Sequence, residues 1–358
     1  MVQTLLIEFE EKFKKAIAEQ KYSMATEIVL DFVYHTGKEK YLDYMNNKFN
    51  WIKYFRCRKY HLKKYGYFVY GRDYRQIIFQ FVRPCQWLTM LLFKDTKNRP
   101  REFFHKHLEY EKRQQLIVMQ PRAEEIFDHW EAYKKIGEIL ADEKSQRTYA
   151  CILMAFVTMK FEYFAMANCR CETDYLPKDI FKDVNLTCMV DCGGYDGDTA
   201  MEVMQKYSQD IGSYYLIEAD AENIRKAKSN LVQYSNIKYV EAAVAAEEGF
   251  VHFDDNGKSG SINQSGLRKV KAVQLDSAVA EKITHLKMDI EGSELAALKG
   301  AANHIKRDVP AMSICAYHKP EDIRELTEYV ISVNPAYHVY LRNYGDKYKE
   351  IVLYFAEA

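Results

Sequence analysis

The stretch TCMVDCGGYDGDT at residues 187–199 decides how the C-terminal half of this chain folds. A short apolar run ends on Asp191, glycines follow at 193, 194 and 197, and a segment with helical spacing begins after them. A strand that turns into a helix over glycines lets the backbone approach a ligand closely. The acid would repel a pyrophosphate but would attract a ligand that carries an amine or a sulfonium cation.

Composition and length indicate a chain with packed cores. The chain has 358 residues, 48% hydrophobic residues and a formal net charge of zero. This length predicts about two domains, and the balanced charge gives no sign of nucleic-acid binding. The eight cysteines show no zinc-site spacing, which favours reduced thiols in a cytoplasmic protein. No apolar run reaches about 18 residues, so we expect a chain without a membrane span.

The spacing of apolar residues divides the chain into two predicted domains. Residues 1–168 have apolar positions at helical intervals, which predicts a mainly α-helical N-terminal domain of unknown role. Residues 169–186 are the expected linker, and 187–358 the second domain. Within the first domain, residues 51–83 interleave aromatics with Arg and Lys. A packed core with a solvated basic face is the favoured interpretation; contact with an acidic or membrane surface, or with nucleic acid, is the alternative.

Residues 187–358 alternate short apolar runs with helical stretches. This pattern predicts an α/β fold with a largely parallel, Rossmann-like sheet and helices on both faces. The last two strands flank Gly345 and Asp346, so an antiparallel hairpin should close the sheet. The strands are expected at 187–192, 213–218, 237–244, 249–254, 270–275, 284–290, 311–317, 336–342 and 350–356. The helices are expected at 197–207, 220–232, 293–304 and 320–331.

Chemically active side chains recur where the predicted strands end. Ligands of open α/β sheets bind outside the carboxyl ends of the strands. Glu218 ends the second strand, where a carboxylate can accept both hydroxyls of a ribose. Asp289 and Glu291 end a later strand, His318 follows the next, and the small Ala242 could leave room for a flat base. Each acid could instead be a cap or a surface residue, but their shared position at one sheet edge favours a binding site.

Two classes of cofactor compete for this site. A dinucleotide site has the fingerprint G-x-G-x-x-G, whereas this chain reads D-C-G-G-Y-D-G, with further acids around the turn. S-adenosylmethionine fits better, because the glycines leave space for its methionine part, the acids can bind its ammonium and Glu218 can bind its ribose. The residues expected to contact it are Asp191, Gly193, Gly194, Tyr195, Gly197, Thr199, Glu218, Ala219, Ala242 and Asp289.

Several motifs, in order, resemble the FkbM-type S-adenosylmethionine-dependent methyltransferases over about residues 175–355. These motifs are YLPKDIF at 175–181, VDCGGYDGDT at 190–199, IEADAENIRKAKSNL at 217–231, KMDIEGSELAALKGA at 287–301, ICAYHKPEDI at 314–323 and YLRNYGDKYKEIVLY at 340–354. The resemblance implies a class I methyltransferase sheet and O-methylation, often of sugars or polyketide-like hydroxyls. It also implies cofactor contacts at Asp191, Gly193, Gly197, Glu218 and near Ala242. Asn343 departs from the family pattern, since a bacterial branch often has histidine there.

The predicted activity is methyl transfer to a hydroxyl of a saccharide or another small acceptor, in which alignment of the reactants is a large part of catalysis. His318 is the preferred base, because imidazole titrates near neutral pH, and Glu291 is the second candidate. We expect no metal, although Asp289, Glu291 and His318 could together bind Mg²⁺ or Mn²⁺. Lys287 is expected to have its head at the surface. The alternative function is a catalytically degenerate scaffold that recruits partners through the helical half.

Overall fold

The structure is a computed structural model that describes residues 2–48, 117–169, 175–254, 261–262, 268–345 and 347–357. The predicted helical character of the N-terminal half is confirmed in its described part, whereas the basic aromatic stretch 51–83 lies outside the described residues. None of the described helices is both long and apolar enough to cross a membrane. The helices of this half are α1 (Val2–Ala18), α2 (Tyr22–Thr36), α3 (Lys38–Lys48), α4 (117–128), α5 (Trp130–Ile139), α6 (Glu143–Thr158) and α7 (Glu162–Ala167).

The C-terminal half alternates strands and helices, as predicted. The strands are β1 (Cys188–Cys192), β2 (Ser213–Glu218), β3 (Ile237–Glu241), β4 (Ala243–Val244), β5 (Gly249–Asp254), β6 (Ser261–Ile262), β7 (Arg268–Val273), β8 (His285–Met288), β9 (Ala311–Cys315), β10 (Tyr337–Asn343) and β11 (Ile351–Glu357). The helices are α8 (Asp198–Tyr207), α9 (Ala221–Asn230), α10 (Leu275–Ala278), α11 (Glu294–Lys299), α12 (Ala302–Arg307) and α13 (Asp322–Val333).

The main sheet has the strand order β10-β11-β9-β8-β1-β2-β3 among the described residues. Its inner strands pair in parallel, whereas β11 is antiparallel to both β9 and β10. A smaller sheet has the order β4-β7-β5-β6. The predicted fold class, a largely parallel sheet closed by an antiparallel pair, is confirmed.

Two predicted elements are interrupted. The strand expected at 237–244 is divided into β3 and β4 at Ala242, whose amide donates a hydrogen bond to the carbonyl of Glu218 at 3.1 Å. The helix expected at 293–304 is divided into α11 and α12 near Gly300. A Cβ at Gly300 would lie 2.1 Å from the carbonyl oxygen of Ala245, so the chain passes too close to its neighbour for a larger residue.

The central strand distributes its side chains between two apolar clusters. Val190 packs in a cluster that also contains Phe13 and Tyr149 from the helical half. Met189, which points to the other face, packs with residues of α8 and α9 such as Val203. This alternation is expected for a strand that is buried on both faces. One apolar core therefore continues from the N-terminal helices onto one face of the sheet.

The helical half also covers the edge strand β10. An uncovered edge presents unpaired N–H and C=O groups and promotes aggregation. Backbone groups of β10 form hydrogen bonds with residues that precede the sheet. The amide of Ala141 donates to the carbonyl of Val339 (2.9 Å), Leu341 N donates to Oγ of Ser145 (3.0 Å) and Cys169 N donates to the carbonyl of Asn343 (2.6 Å). The sheet edge is thus completed by residues from outside the sheet.

A buried guanidinium reinforces this junction. Arg342 in β10 is 0% exposed, and its Nη2 donates to Oδ2 of Asp142 at 2.6 Å and to Oδ2 of Asp179 at 3.1 Å. Asp142 is also the N-cap of α6, since its side chain accepts a hydrogen bond from the amide of Ser145 at 2.6 Å. Charge-assisted pairs with a planar guanidinium are directional, so β10, α6 and the segment before β1 are held in one arrangement.

The buried histidine His285 in β8 provides a test of the core, because it has no charged partner among the described residues. It is 0% exposed; its Nε2 lies 3.2 Å from Oγ of Ser313, and the ring of Phe181 packs edge-on against it. Burial lowers the pKa of His285 to about 3. The unfolded chain binds this proton at a pKa of about 6.5, so the free energy of unfolding should decrease as the pH falls from about 6.5 towards 3.

We expect His285 alone to remove about 2 kcal/mol from the free energy of unfolding at pH 5 relative to neutral pH. Chemical denaturation of a His285→Gln variant should therefore show a shallower pH dependence than that of the unaltered protein. His338→Gln, at an exposed position in β10, is the matched control and should retain the original pH dependence. Parallel curves for His285→Gln and the unaltered protein would contradict the assignment of a buried neutral imidazole.

Candidate active site

A buried ion pair lies beneath the carboxyl edge of the sheet. Asp191 in β1 and Lys287 in β8 are register partners, and Nζ of Lys287 lies 2.8 Å from Oδ1 of Asp191. The hydroxyl of Tyr214 donates to Oδ2 of Asp191 at 2.9 Å. Burial lowers the pKa of Lys287, but the carboxylates of Asp191 and Asp289 outweigh this effect and raise it. The lysine is therefore charged.

Two expectations about this pair need correction. Lys287 is 2% exposed, so the prediction of a surface head group is wrong; its partner lies on another strand, far away in sequence. Asp191 is 0% exposed and faces Lys287 and Tyr214, so this geometry does not present its carboxylate to the ammonium of a ligand. Lys287 also donates to the carbonyl of Gly193 at 2.9 Å, so the ion pair also holds the glycine turn in place.

The turn after β1 needs its glycines for packing against the protein itself. A Cβ would lie 2.0 Å from the Asp289 carbonyl oxygen at Gly193, 2.4 Å from Leu216 Cγ at Gly194 and 2.7 Å from Leu231 Cδ1 at Gly197. Gly193 and Gly197 also have positive φ angles of 80° and 85°, which favour glycine. The amides of Gly193 and Gly194 both donate to the carbonyl of Ile217. The expected open space for the methionine part therefore does not follow from these glycines.

Glu218 at the end of β2 is the predicted ribose-binding carboxylate. Its Oε2 accepts a hydrogen bond from the amide of Tyr195 at 3.1 Å, and its Oε1 accepts one from the amide of Asp220 at 2.8 Å. Burial raises the pKa of Glu218, and these amide bonds oppose the increase. Each carboxylate oxygen has a second lone pair, so the group can still accept hydrogen bonds from a diol.

Most of the remaining predicted cofactor residues lie close to this carboxylate. Ala219 follows Glu218 directly and is partly buried. Ala242 is buried and donates its amide to the Glu218 carbonyl. Thr199 lies in the first turn of α8, where its amide donates to Oδ1 of Asp198 at 2.7 Å. The structure thus brings Ala219, Ala242 and Tyr195 next to Glu218. Thr199 instead lies in the first turn of α8.

A second group of polar side chains follows β8 and β9, and we call it the His318 cluster: His318, Asp289, Glu291 and Glu294. Nδ1 of His318 lies 2.9 Å from Oε1 of Glu294, and its Nε2 lies 3.5 Å from Oδ1 of Asp289 and 3.7 Å from Oε2 of Glu291. Burial lowers the pKa of His318, but the carboxylates of Glu294, Asp289 and Glu291 outweigh this effect and raise it.

Glu294 is the member of the His318 cluster that sequence reasoning missed. It is fully buried, and its Oε1 accepts the amide of Ile290 at 2.9 Å. Its Oε2 has no hydrogen-bond partner among the described residues. A third acid in KMDIEGSE, after Asp289 and Glu291, was the available signal, but an acid in the first turn of a helix is usually explained by the helix dipole. The imidazole that pairs with it comes from the segment after β9.

Two tyrosine hydroxyls hold Asp289 within the cluster. Tyr175 donates to its Oδ2 at 3.0 Å, and Tyr317 donates to its Oδ1 at 3.3 Å. Burial raises the pKa of Asp289, but Lys287, His318 and the Tyr175 hydroxyl outweigh this effect and lower it. Asp289 is therefore a carboxylate at neutral pH, and it carries a negative charge at the edge of the sheet.

The cluster also contains a donor set that could hold a divalent cation. One ligand atom each from Asp289, Glu294 and His318 lie within 4.8 Å of one another. The 2.9 Å between Nδ1 of His318 and Oε1 of Glu294 is also the length of a charge-assisted hydrogen bond. An imidazolium paired with its carboxylates therefore accounts for this distance without a metal ion.

Asn343, where the resemblance points to histidine, lies in the junction with the helical half. It is 0% exposed, and its Nδ2 donates to the carbonyls of Phe164 at 3.1 Å and Gly345 at 2.6 Å. The side-chain amide of Asn343 therefore links β10 to the helical half and to the turn after β10.

The strand order, the glycine turn after β1 and the acid at the end of β2 define a class I methyltransferase fold. Residues 191–348 match the family model described as Methyltransferase FkbM domain. The crystal structure of Methyltransferase FkbM from Methylobacillus flagellatus KT is similar, with 26% sequence identity and a TM-score of 0.59 over 66% of this chain and 60% of that chain. The resemblance seen in the motifs is therefore confirmed, since residues 191–348 match the FkbM methyltransferase family model.

Other solved structures are less similar, with lower sequence identities and TM-scores. Precorrin-6y C5,15-methyltransferase from Geobacter metallireducens GS-15 is 12% identical with a TM-score of 0.32, over 49% of this chain and 82% of that chain. Fibrillarin from Aeropyrum pernix, in complex with natively bound S-adenosyl-L-methionine, is 11% identical with a TM-score of 0.32, over 48% and 67% of the two chains. No curated protein matches the chain. The chain spans about 60% of the length of the Methylobacillus structure.

The Asp191–Lys287 pair can be tested through stability. Lys287→Met keeps the side-chain length but leaves the Asp191 carboxylate buried without its cation, and we expect a loss of about 3–5 kcal/mol in the free energy of unfolding. The double variant Lys287→Met/Asp191→Asn removes both charges and should recover part of this loss. Urea denaturation of the two variants measures the difference. Equal destabilisation of both would contradict a buried ion pair at this position.

Proposed function

We propose that the chain is an S-adenosylmethionine-dependent O-methyltransferase that acts on a hydroxyl of a saccharide or another small-molecule acceptor. The observation that carries this proposal is the placement of Glu218 and the His318 cluster at the same carboxyl edge. Glu218 ends β2, the cluster follows β8 and β9, and β1 lies between β2 and β8. Ligands of open α/β sheets bind at this edge, and the match of residues 191–348 to the FkbM family model supports methyl transfer.

The charges at this edge fit a cationic cofactor. When bound, S-adenosylmethionine supplies an electrophilic methyl group on a positively charged sulfur. Lys287 is paired with Asp191 below the edge, so it does not neutralise the whole His318 cluster. Three carboxylates face one imidazolium there, and the remaining negative charge attracts an ammonium or a sulfonium. Glu218 would hold the ribose through its free lone pairs.

We assign the role of general base to His318. Its Nε2 faces the carboxylates of Asp289 and Glu291 and, once the imidazolium has lost its Nε2 proton to solvent, would take the proton of the acceptor hydroxyl. Its Nδ1 faces Glu294 at 2.9 Å, which stabilises the imidazolium that forms, as carboxylates do for histidines in hydrolase triads. Because these acids raise the pKa of His318, the rate should increase with pH above about 6.5. Glu291, at the exposed side, is the second candidate.

Two broader expectations remain part of the proposal. A cytoplasmic location is supported by the described cysteines, which are free and buried, as for example Cys192, since reducing compartments keep thiols free. A small-molecule acceptor, without nucleic acid, is supported by the balanced charge of the chain. Contact of the basic aromatic stretch 51–83 with an acidic or membrane surface is a further proposal that rests on composition alone.

Calorimetric titration with S-adenosylmethionine tests the cofactor site. Glu218→Gln removes a charged acceptor, and we expect the affinity to fall about 10- to 100-fold. Glu241→Gln is the matched control, because Glu241 is the exposed register partner of Glu218 at the end of β3, and it should bind as the unaltered protein does. Equal affinities for all three proteins would contradict the role of Glu218. Absence of binding to the unaltered protein would instead support the degenerate scaffold.

Methyl transfer from radiolabelled S-adenosylmethionine to a panel of free mono- and oligosaccharides tests the base. We expect His318→Gln to lower the rate on any accepted sugar about 100-fold or more, with cofactor affinity within about twofold of the original. A chelator should leave the rate of the unaltered protein unchanged. Full turnover by the variant would exclude His318 as the base, and loss of activity on chelation would replace the ion pair with a metal.

A further inference from the structure

Arg122 in the helical half contacts the segment that carries the proposed base, His318. Arg122 in α4 is 6% exposed, and its Nη2 donates to the carbonyl of Tyr317. Its Nη1 donates to the carbonyl of Val118 in its own helix at 2.8 Å. The guanidinium also lies 5.4 Å from the ring centroid of Tyr348, so packing and hydrogen bonds fix its position.

The carbonyl that Arg122 binds belongs to the peptide unit that joins Tyr317 to His318. Because a peptide unit is planar, a hydrogen bond to its oxygen also restrains the backbone nitrogen of His318. Tyr317 is itself tied to the site, since its hydroxyl donates to Oδ1 of Asp289 at 3.3 Å. The guanidinium therefore acts on the backbone directly before the imidazole.

A carboxylate restrains the same segment from the other side. Oδ2 of Asp322 accepts a hydrogen bond from the amide of Lys319 at 2.6 Å, the residue after His318. Asp322 also attracts Arg122 electrostatically. Burial raises the pKa of Asp322 to about 7, while the Lys319 amide opposes the increase. The segment 317–319 is thus held at its carbonyl by Arg122 and at its amide by Asp322.

We propose that Arg122 is a positioning residue for His318, so that the helical half completes the methyltransferase site. The inference rests on the proposed role of His318 as the base. Arg122 acts through the carbonyl of Tyr317 and so fixes the backbone from which the ring of His318 reaches Glu294 and Asp289. Loss of the guanidinium would let the ring move away from these carboxylates, and the alignment of the base would be lost.

The sign of a pKa change separates positioning from a simple charge effect. Removal of a nearby cation favours protonation and raises the pKa of His318, whereas movement away from Glu294, Asp289 and Glu291 lowers it towards about 6.5. Asp322 is the remaining carboxylate that faces the segment. NMR titration of the full chain, labelled with carbon-13 in its ten histidines, measures this pKa, and a His318→Gln variant assigns the resonance.

We expect Arg122→Met to lower the pKa of His318 by about 0.5 unit or more. Arg122→Lys, which keeps the charge but not the planar donor pair, should give an intermediate decrease. Glu125→Gln is the matched control: Glu125 also lies in α4 and accepts from Nε of Arg324 in α13 at 2.6 Å, so its loss weakens the docking of the same helix. This control should leave the pKa of His318 unchanged.

An unchanged or increased pKa in Arg122→Met overturns the inference, as does an equal decrease in Glu125→Gln. If Arg122→Met does not fold, Arg122→Lys decides, and its unchanged pKa overturns the inference. The titration needs neither acceptor nor cofactor. A His318→Gln variant with full transfer activity would therefore exclude His318 as the base while leaving the pKa comparison valid, so the two failures are distinguishable.

Discussion

The buried ion pair between Asp191 and Lys287 is the interaction on which the carboxyl edge of the sheet depends. The two residues face each other on the adjacent strands β1 and β8, and either charge alone would be costly at this depth. A shift of one residue in strand register would turn one side chain to the opposite face and separate the charges. The pair therefore specifies the register at the centre of the sheet, in addition to any contribution to stability.

The same pair determines how charge is distributed above it. Lys287 binds Asp191 and the carbonyl of Gly193. Its ammonium therefore lies under the glycine turn, below the carboxyl edge of the sheet. Asp289, two residues further along the chain, takes its hydrogen bonds from the neutral hydroxyls of Tyr175 and Tyr317. Neutral donors orient a carboxylate without cancelling its charge. The outer edge consequently keeps a negative character, which suits a sulfonium ligand better than a phosphate.

Local patterns predicted the elements of the C-terminal half well, and long-range pairing explains most of the errors. The strands expected at 213–218 and 249–254 have those bounds in the structure, because alternation and turn residues are encoded locally. The surface position expected for Lys287 was wrong because its partner lies on another strand. The glycines of the turn were expected to make room for a ligand, whereas their contacts are Leu216, Leu231 and the Asp289 carbonyl. Such contacts depend on neighbouring strands and helices, and the motif alone does not predict which residues of those elements will pack against it.

The helical half shows the same dependence on distant partners, and its contacts bear on the alternative of a recruiting scaffold. A scaffold that recruits partners through its helical half needs surfaces there that the C-terminal half leaves free. Here the edge of β10 accepts a hydrogen bond from the amide of Ala141 and donates one from Leu341 N to Oγ of Ser145. In addition, Arg342 binds the N-cap of α6. The apolar core continues across the same junction. An edge strand needs such cover to avoid aggregation, so the described helices have a structural task within this fold, and recruitment is not required to explain them.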